Sequence, residues 1–319
     1  VRASKETTLS TKERKILIAV DGSPHSLNAV SYAAQYCAPA GIKVNIMHVM
    51  PTAPETLWDL EKDSHFKEKM TREYVERTKD ARQLAEQFLS EALDLLIEAG
   101  IPENEVGVIL QDGKVGIARD IIEESVRGYE AVVIGRGGLS KREDAFLGSV
   151  TNKIVEKIHD IPVWVIGEDA QAKKILLAVD ASENSRKAVN YVGTISASTQ
   201  SEITLFHVVR KFEFLDNPTL RRSEVEGFWA EVKSDIPRMF RSYKASLEKA
   251  GVTASRIKSQ ATLDRSSRSE DIVRQAQEGA YGTIVVGRRG LSKVHHFSMG
   301  RVANKVLNRA EGFAIWIVP

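Results

Sequence analysis

Two stretches of the chain space their glycines in a way that suits an anion. Gly135, Gly138 and Gly148 stand with two and then nine residues between them, and Ser149, Val150 and Thr151 follow. Gly287, Gly290 and Gly300 repeat that spacing 152 residues later, followed by Arg301, Val302 and Ala303. Glycine allows positive φ and lets main-chain N–H groups reach an anion with no Cβ in the way. A helix that starts at the last glycine adds unpaired N–H groups and the positive end of its dipole, both of which favour phosphate. The hydroxyls of Ser149 and Thr151 can add hydrogen bonds to phosphate oxygens. Glycines that merely punctuate turns, with a serine as helix cap, would look much the same in one copy. They would not explain why all three recur at one spacing, each time with an aspartate, Asp21 or Asp180, closing an earlier apolar run.

The second stretch keeps the glycines and changes the chemistry. Arg301 and Ala303 replace Ser149 and Thr151, so two hydroxyls are lost and a large cation arrives. Residues 287–301 carry Arg288, Arg289, Lys293 and Arg301 with no acid, whereas the first stretch sets Arg136, Lys141 and Arg142 against Glu143 and Asp144. Three readings of Arg301 stay open. It fills the phosphate pocket; it swings out or pairs with a phosphate, as guanidinium groups do well; or it ties two parts of the chain together. On any of them the second site is altered.

The elements that must hold these residues are written twice. Residues 14–34 match 173–193 at an offset of 159, residues 44–49 match 203–208 at the same offset, and 96–101 match 247–252 at 151. Two copies of one domain follow, 14–167 and 173–319, joined by the short polar stretch 168–172. In the first copy Lys15–Val20, Val44–Val49, Val106–Leu110, Ala131–Ile134 and Val163–Ile166 read as strands. Between them lie a helical stripe through Leu27, Val30, Ala34 and Cys37, a long charged helix Lys67–Ala99 stopped by Gly100 and Pro102, a helix Val115–Val126 and one from Gly148 to His159. Strands alternating with helices predict an α/β fold: two tandem doubly wound, Rossmann-like domains, each a five-stranded mostly parallel sheet with helices on both faces. In such sheets the ligand crevice opens beyond the carboxyl ends of the strands, where strand order reverses. Asp21 and Gly135 both stand at such ends, which places a base near Asp21 and phosphates along the glycine loop.

At 319 residues each copy can bury a real core, and 42% apolar with 28% charged residues places the chain among soluble globular proteins. A net charge of +2 gives no case for nucleic acid as a partner. The apolar runs, such as Ile16–Val20 and Ala131–Ile134, are strand-sized and give no case for a membrane. Residues 1–13 are polar and show no signal-peptide pattern, and the single cysteine, Cys37, fits a reducing cytoplasm. No Walker A loop, G-x-S-x-G elbow or H-E-x-x-H occurs, and G-x-G-x-x-G fails at Ser140. His48 and His207 end second strands and read as packed or backbone-bonded side chains. His295 and His296 are adjacent in a loop, a poor geometry for one ion. Ser266, Ser267 and Ser269 read as helix caps.

With AVDGS (19–23), the strand-ending MHV (47–49) and GRGGLSKREDAFLGSVT (135–151), the chain resembles the universal stress protein family in a tandem two-domain form, from about residue 14 to the end. The resemblance implies an adenine nucleotide, ATP above all, with Mg²⁺ held only through its phosphates. Carried over, it implicates Asp21 and Val49 for the base and Gly135, Gly138, Gly148, Ser149, Val150 and Thr151 for ribose and phosphates. In the second copy the corresponding positions are Asp180, Val208, Gly287, Gly290, Gly300 and Arg301. It implies a nucleotide-dependent stress switch or chaperone-like factor more than a catalyst, at most with slow ATP hydrolysis or self-phosphorylation. A nucleotide-independent interaction protein is the remaining alternative. It also implies that the last strands, with Trp164 and Trp316, pair within the chain as a pseudo-dimer; a dimer of whole chains is left open.

Overall fold

The computed structural model describes residues 13–51, 65–137, 147–210, 221–291 and 298–319, with the main chain alone for 65–72, 74–75 and 264. Gly138 and the charged residues Lys141, Arg142, Glu143 and Asp144 lie outside the described residues, as do Lys293, His295 and His296.

The first half runs β1 (Lys15–Ala19), α1 (Pro24–Ala40), β2 (Lys43–Met50), α2 (His65–Glu98), β3 (Val106–Asp112), α3 (Ile117–Ser125), β4 (Ala131–Gly135), α4 (Ser149–Lys157) and β5 (Val163–Ile166). The second repeats the order as β6 (Lys174–Ala178), α5 (Glu183–Ser196), β7 (Glu202–Arg210), α6 (Arg222–Lys249), β8 (Ile257–Arg265), α7 (Arg268–Glu278), β9 (Thr283–Gly287), α8 (Arg301–Arg309) and β10 (Ala314–Val318). Where the sequence predicted two sheets of five strands, the halves share a single ten-stranded sheet ordered β3-β2-β1-β4-β5-β10-β9-β6-β7-β8. Every neighbouring pair within a half is parallel. The seam between halves, β5 on β10, is antiparallel and sets Trp164 opposite Trp316. An open strand at the end of either half would present unpaired main chain and an apolar face, and the pairing removes both.

The central strands are buried on both faces, as β4 shows by having all five residues buried. This is what helices on either side of a parallel sheet require. On one face α1, α2, α5 and α6 cover an aromatic-rich core; on the other α3, α4, α7 and α8 cover an aliphatic one. At the seam the indoles of Trp164 and Trp316 stack with centroids 4.1 Å apart and planes 6° apart. Tyr32 and Tyr191 stand edge-on around them. Tyr32 donates to Thr283 Oγ1 (2.7 Å), which itself donates to the Gln171 carbonyl (2.8 Å), so polar bonds cross the seam too. Cys37 is buried in α1 among this core. Among the described residues no helix is long and apolar enough to cross a membrane.

Candidate functional site

In the first half, strand order reverses between β1 and β4, which lie side by side with Ala19 opposite Ile134. The chain leaves β1 toward α1 and leaves β4 toward α4, so the two exits open a crevice between Asp21 and Gly135. Asp21 N donates to Ser26 Oγ, and Asp21 Oδ1 accepts from the amide (3.0 Å) and hydroxyl (2.6 Å) of Ser23, the N-cap of α1. That leaves Oδ2 with no hydrogen bond from a described residue. Val20 N donates to the Met47 carbonyl (2.9 Å). Two residues on, Val49 turns its main chain to the same side, past the end of β1, while its side chain is buried beneath. The Nδ1–H of His48 donates to the Val20 carbonyl (2.8 Å), pinning the end of β2 to the end of β1. Burial holds the His48 imidazole below its ordinary pKa.

The phosphate side is built on β4 and α4. Gly135 passes so close to α1 that a Cβ there would stand 2.9 Å from the main-chain carbon of His25. Gly148 is the N-cap of α4, its amide donating to the Arg136 carbonyl (3.0 Å). The first helical bond runs from Asn152 N to the Gly148 carbonyl (2.8 Å), so the amides of Ser149, Val150 and Thr151 have no acceptor inside the helix. Ser149 is exposed at the first helical position, with Gly148 rather than the serine as the cap. Thr151 departs from the sequence expectation. Its side chain is buried and Oγ1 donates to the Gly135 carbonyl (2.9 Å), so its proton is spent on fastening the helix to the loop and not on a phosphate.

The second half repeats the frame with changes. Asp180 Oδ1 accepts from Ser182 N (3.0 Å) and Ser185 Oγ (2.8 Å). His207 Nδ1–H donates to the Val179 carbonyl (2.6 Å), and Val208 is buried beside it on β7. Gly300 N donates to the Arg288 carbonyl (2.8 Å), closing the loop from Gly287 as in the first copy. Here the loop lies on the aspartate, since a Cβ on Gly290 would sit 2.7 Å from Asp180 Oδ2. Tyr243 of α6 donates to the Asp180 carbonyl (2.6 Å). Ala303 is buried where Thr151 stands in the first copy and has no hydroxyl to fasten the loop. Arg301 is exposed at the start of α8. Arg136 and Arg288 each donate to main-chain carbonyls of the other half, and the sequence reading left both as part of a charge count. The signal was present: an arginine follows the first glycine in both copies. Of the three candidate serine caps, Ser267 is the cap of α7, accepting from Glu270 N.

The family model for the universal stress protein family matches twice, over residues 13–167 and 171–318. A universal stress protein of Mycobacterium tuberculosis is 28% identical over 235 residues, covering 70% of this chain and 71% of that relative. Another from Synechocystis is 23% identical over 317 residues, 93% of this chain and 96% of the relative. Among solved structures, a universal stress protein from Archaeoglobus fulgidus has the same fold, with a TM-score of 0.64 at 19% identity and coverage of 96% and 98% of the two chains.

Proposed function

The chain belongs to the universal stress protein family, and we propose that it is a nucleotide-dependent stress-response switch whose first copy holds an adenine nucleotide, ATP in the first instance. Asp21 Oδ2 accepts from the base amino group, and the main chain of Val49 meets the base edge. Gly135, Gly138 and Gly148 with the amides of Ser149, Val150 and Thr151 surround the ribose and phosphates, and the Ser149 hydroxyl adds a donor. Mg²⁺ enters with the phosphates; among the described residues no cluster of three acidic, histidine or cysteine side chains stands ready for a metal. The second copy is the altered site, with Asp180, Val208, Gly287, Gly290, Gly300 and Arg301 at the matching positions. The two halves act as a pseudo-dimer in one cytoplasmic chain.

The observation that carries this reading is the start of α4. Three amides without helical acceptors stand beside a loop whose glycine approaches α1 too closely for a side chain. The crevice they face ends at Asp21, whose Oδ2 takes no hydrogen bond from a described residue. Native mass spectrometry of the gently purified chain is expected to show one equivalent of adenine nucleotide. Ser149→Ala removes a hydrogen bond to a charged group, about 1.5–3 kcal/mol, which is roughly 10- to 150-fold in affinity. ATP titration that finds the variant equal to the wild type would show that the phosphates lie elsewhere.

A further inference from the structure

The residue after the first glycine of each loop leaves its own half. Arg136 is 7% exposed, and its Nη1 donates to the carbonyls of Leu307 (2.7 Å) and Ala310 (3.5 Å) while Nη2 donates to that of Asn308 (3.3 Å). These carbonyls form the last turn and cap of α8. Arg288 is 3% exposed, and donates through Nη2 to the Val155 carbonyl in the last turn of α4 and through Nε to the Ser298 carbonyl (3.0 Å). The last carbonyls of a helix lack partners within it and carry the negative end of its dipole, so a buried guanidinium is a matched cap. The same two residues close their own loops, Arg136 O accepting from Gly148 N and Arg288 O from Gly300 N.

Followed in sequence, these bonds close a ring. The first loop reaches the end of α8 through Arg136; α8 begins at the second site; the second loop reaches the end of α4 through Arg288; α4 begins at the first site. Each helix has nine residues, about 13 Å of stiff rod at the standard rise. A shift at the ligand end is therefore felt at the capped end. The surroundings of the two links differ. Glu311 lies near Arg136 and offsets its charge. The matching residue near Arg288 is His159, with Arg289 adding a second cation.

We propose that Arg136 and Arg288 are reciprocal positioning residues, each joining the glycine loop of its own copy to the helix that forms the opposite site, so that the state of one site resets the affinity of the other. This rests on the nucleotide reading of the glycine loops. Coupling of this kind is equal in both directions, because binding free energies are linked.

The test uses the full chain with Arg288→Met, Arg288→Lys and, as a seam control away from α4 and α8, Tyr32→Phe. ATP is titrated calorimetrically, and amide hydrogen exchange is followed at Asn152 and Lys153, the first hydrogen-bonded amides of α4, at the ligand end of the helix whose other end Arg288 caps. Arg288→Met is expected to weaken ATP at the first site by about 2- to 30-fold, the range seen for residues that transmit coupling, and to speed exchange at both amides. Arg288→Lys recovers part of each effect. Tyr32→Phe lowers the melting temperature and changes neither. The proposal is overturned if Arg288→Met leaves affinity and exchange at wild-type values, or if Tyr32→Phe alters both as much. A wild-type chain that takes up no ATP removes the nucleotide reading, and the exchange response to Arg288→Met then decides the arginine link by itself.

Discussion

Thr151 and Ala303 occupy the same place in the two copies, and one hydroxyl separates their roles. Thr151 Oγ1 donates to the Gly135 carbonyl from a buried position, tying the first turn of α4 to the loop it must face. Valine has the same shape without the donor, and leaves that carbonyl buried and short of a partner. Thr151→Val is therefore expected to cost about 1–3 kcal/mol of stability, read as a lower urea midpoint with an unchanged slope. ATP affinity should fall along with it. Thr151→Ser keeps the hydroxyl and is expected to recover most of both. If Thr151→Val binds ATP as the wild type does, the tie does not position the loop. Ala303→Thr offers the converse at the second loop, where the fastening is absent.

At the scale of elements, His48 and His207 hold the ends of β2 and β7 to the ends of β1 and β6 where the base side of each crevice begins. Burial holds both imidazoles below the ordinary 6.5, outweighing the backbone bond and the nearby aspartate. The folded chain thus resists a proton that the unfolded chain accepts. Stability from this source is complete above pH 6.5 and is lost as pH falls through the lowered folded value. His48→Gln with His207→Gln should flatten that acid limb of the urea midpoint against pH; a limb as steep as in the wild type would assign it to other groups. Strand-and-helix alternation made these elements legible, and α2 begins and ends within two residues of its predicted span. The charged stretch 139–146 lies outside the described residues, so the sequence reading of its charges stands alone. The cross-links by Arg136 and Arg288 were harder to read for a physical reason. Their acceptors are main-chain carbonyls, 171 residues away for Arg136 and 133 for Arg288, and a carbonyl leaves no mark on residue type. Arg301 drew attention because it breaks the motif, while the arginine that follows the first glycine in both copies entered only as part of a charge count.

For the whole molecule, the question is whether ten strands behave as one body. The seam is a short antiparallel pairing centred on Trp164 and Trp316, both fully buried, with Tyr32 and Tyr36 from one half and Tyr191 from the other around the stacked indoles. Neither half can leave the other without exposing an indole and an unpaired strand edge, and both costs fall on both halves. Trp316→Ala empties the space against which Trp164 stacks, and truncations of this kind cost about 3–5 kcal/mol. Although the substitution lies in the second copy, the first copy should feel it, because Trp164 and β5 lose their partner. Hydrogen exchange at the β1 and β4 amides of the first copy should speed up together with exchange at β6 and β9. In the wild type, urea unfolding followed by far-ultraviolet circular dichroism and by tryptophan fluorescence should give coincident transitions. Faster exchange confined to β6, β9 and β10 would instead make the halves independent units sharing a strand pair, and a seam that loose could not carry a signal from one glycine loop to the helix of the other.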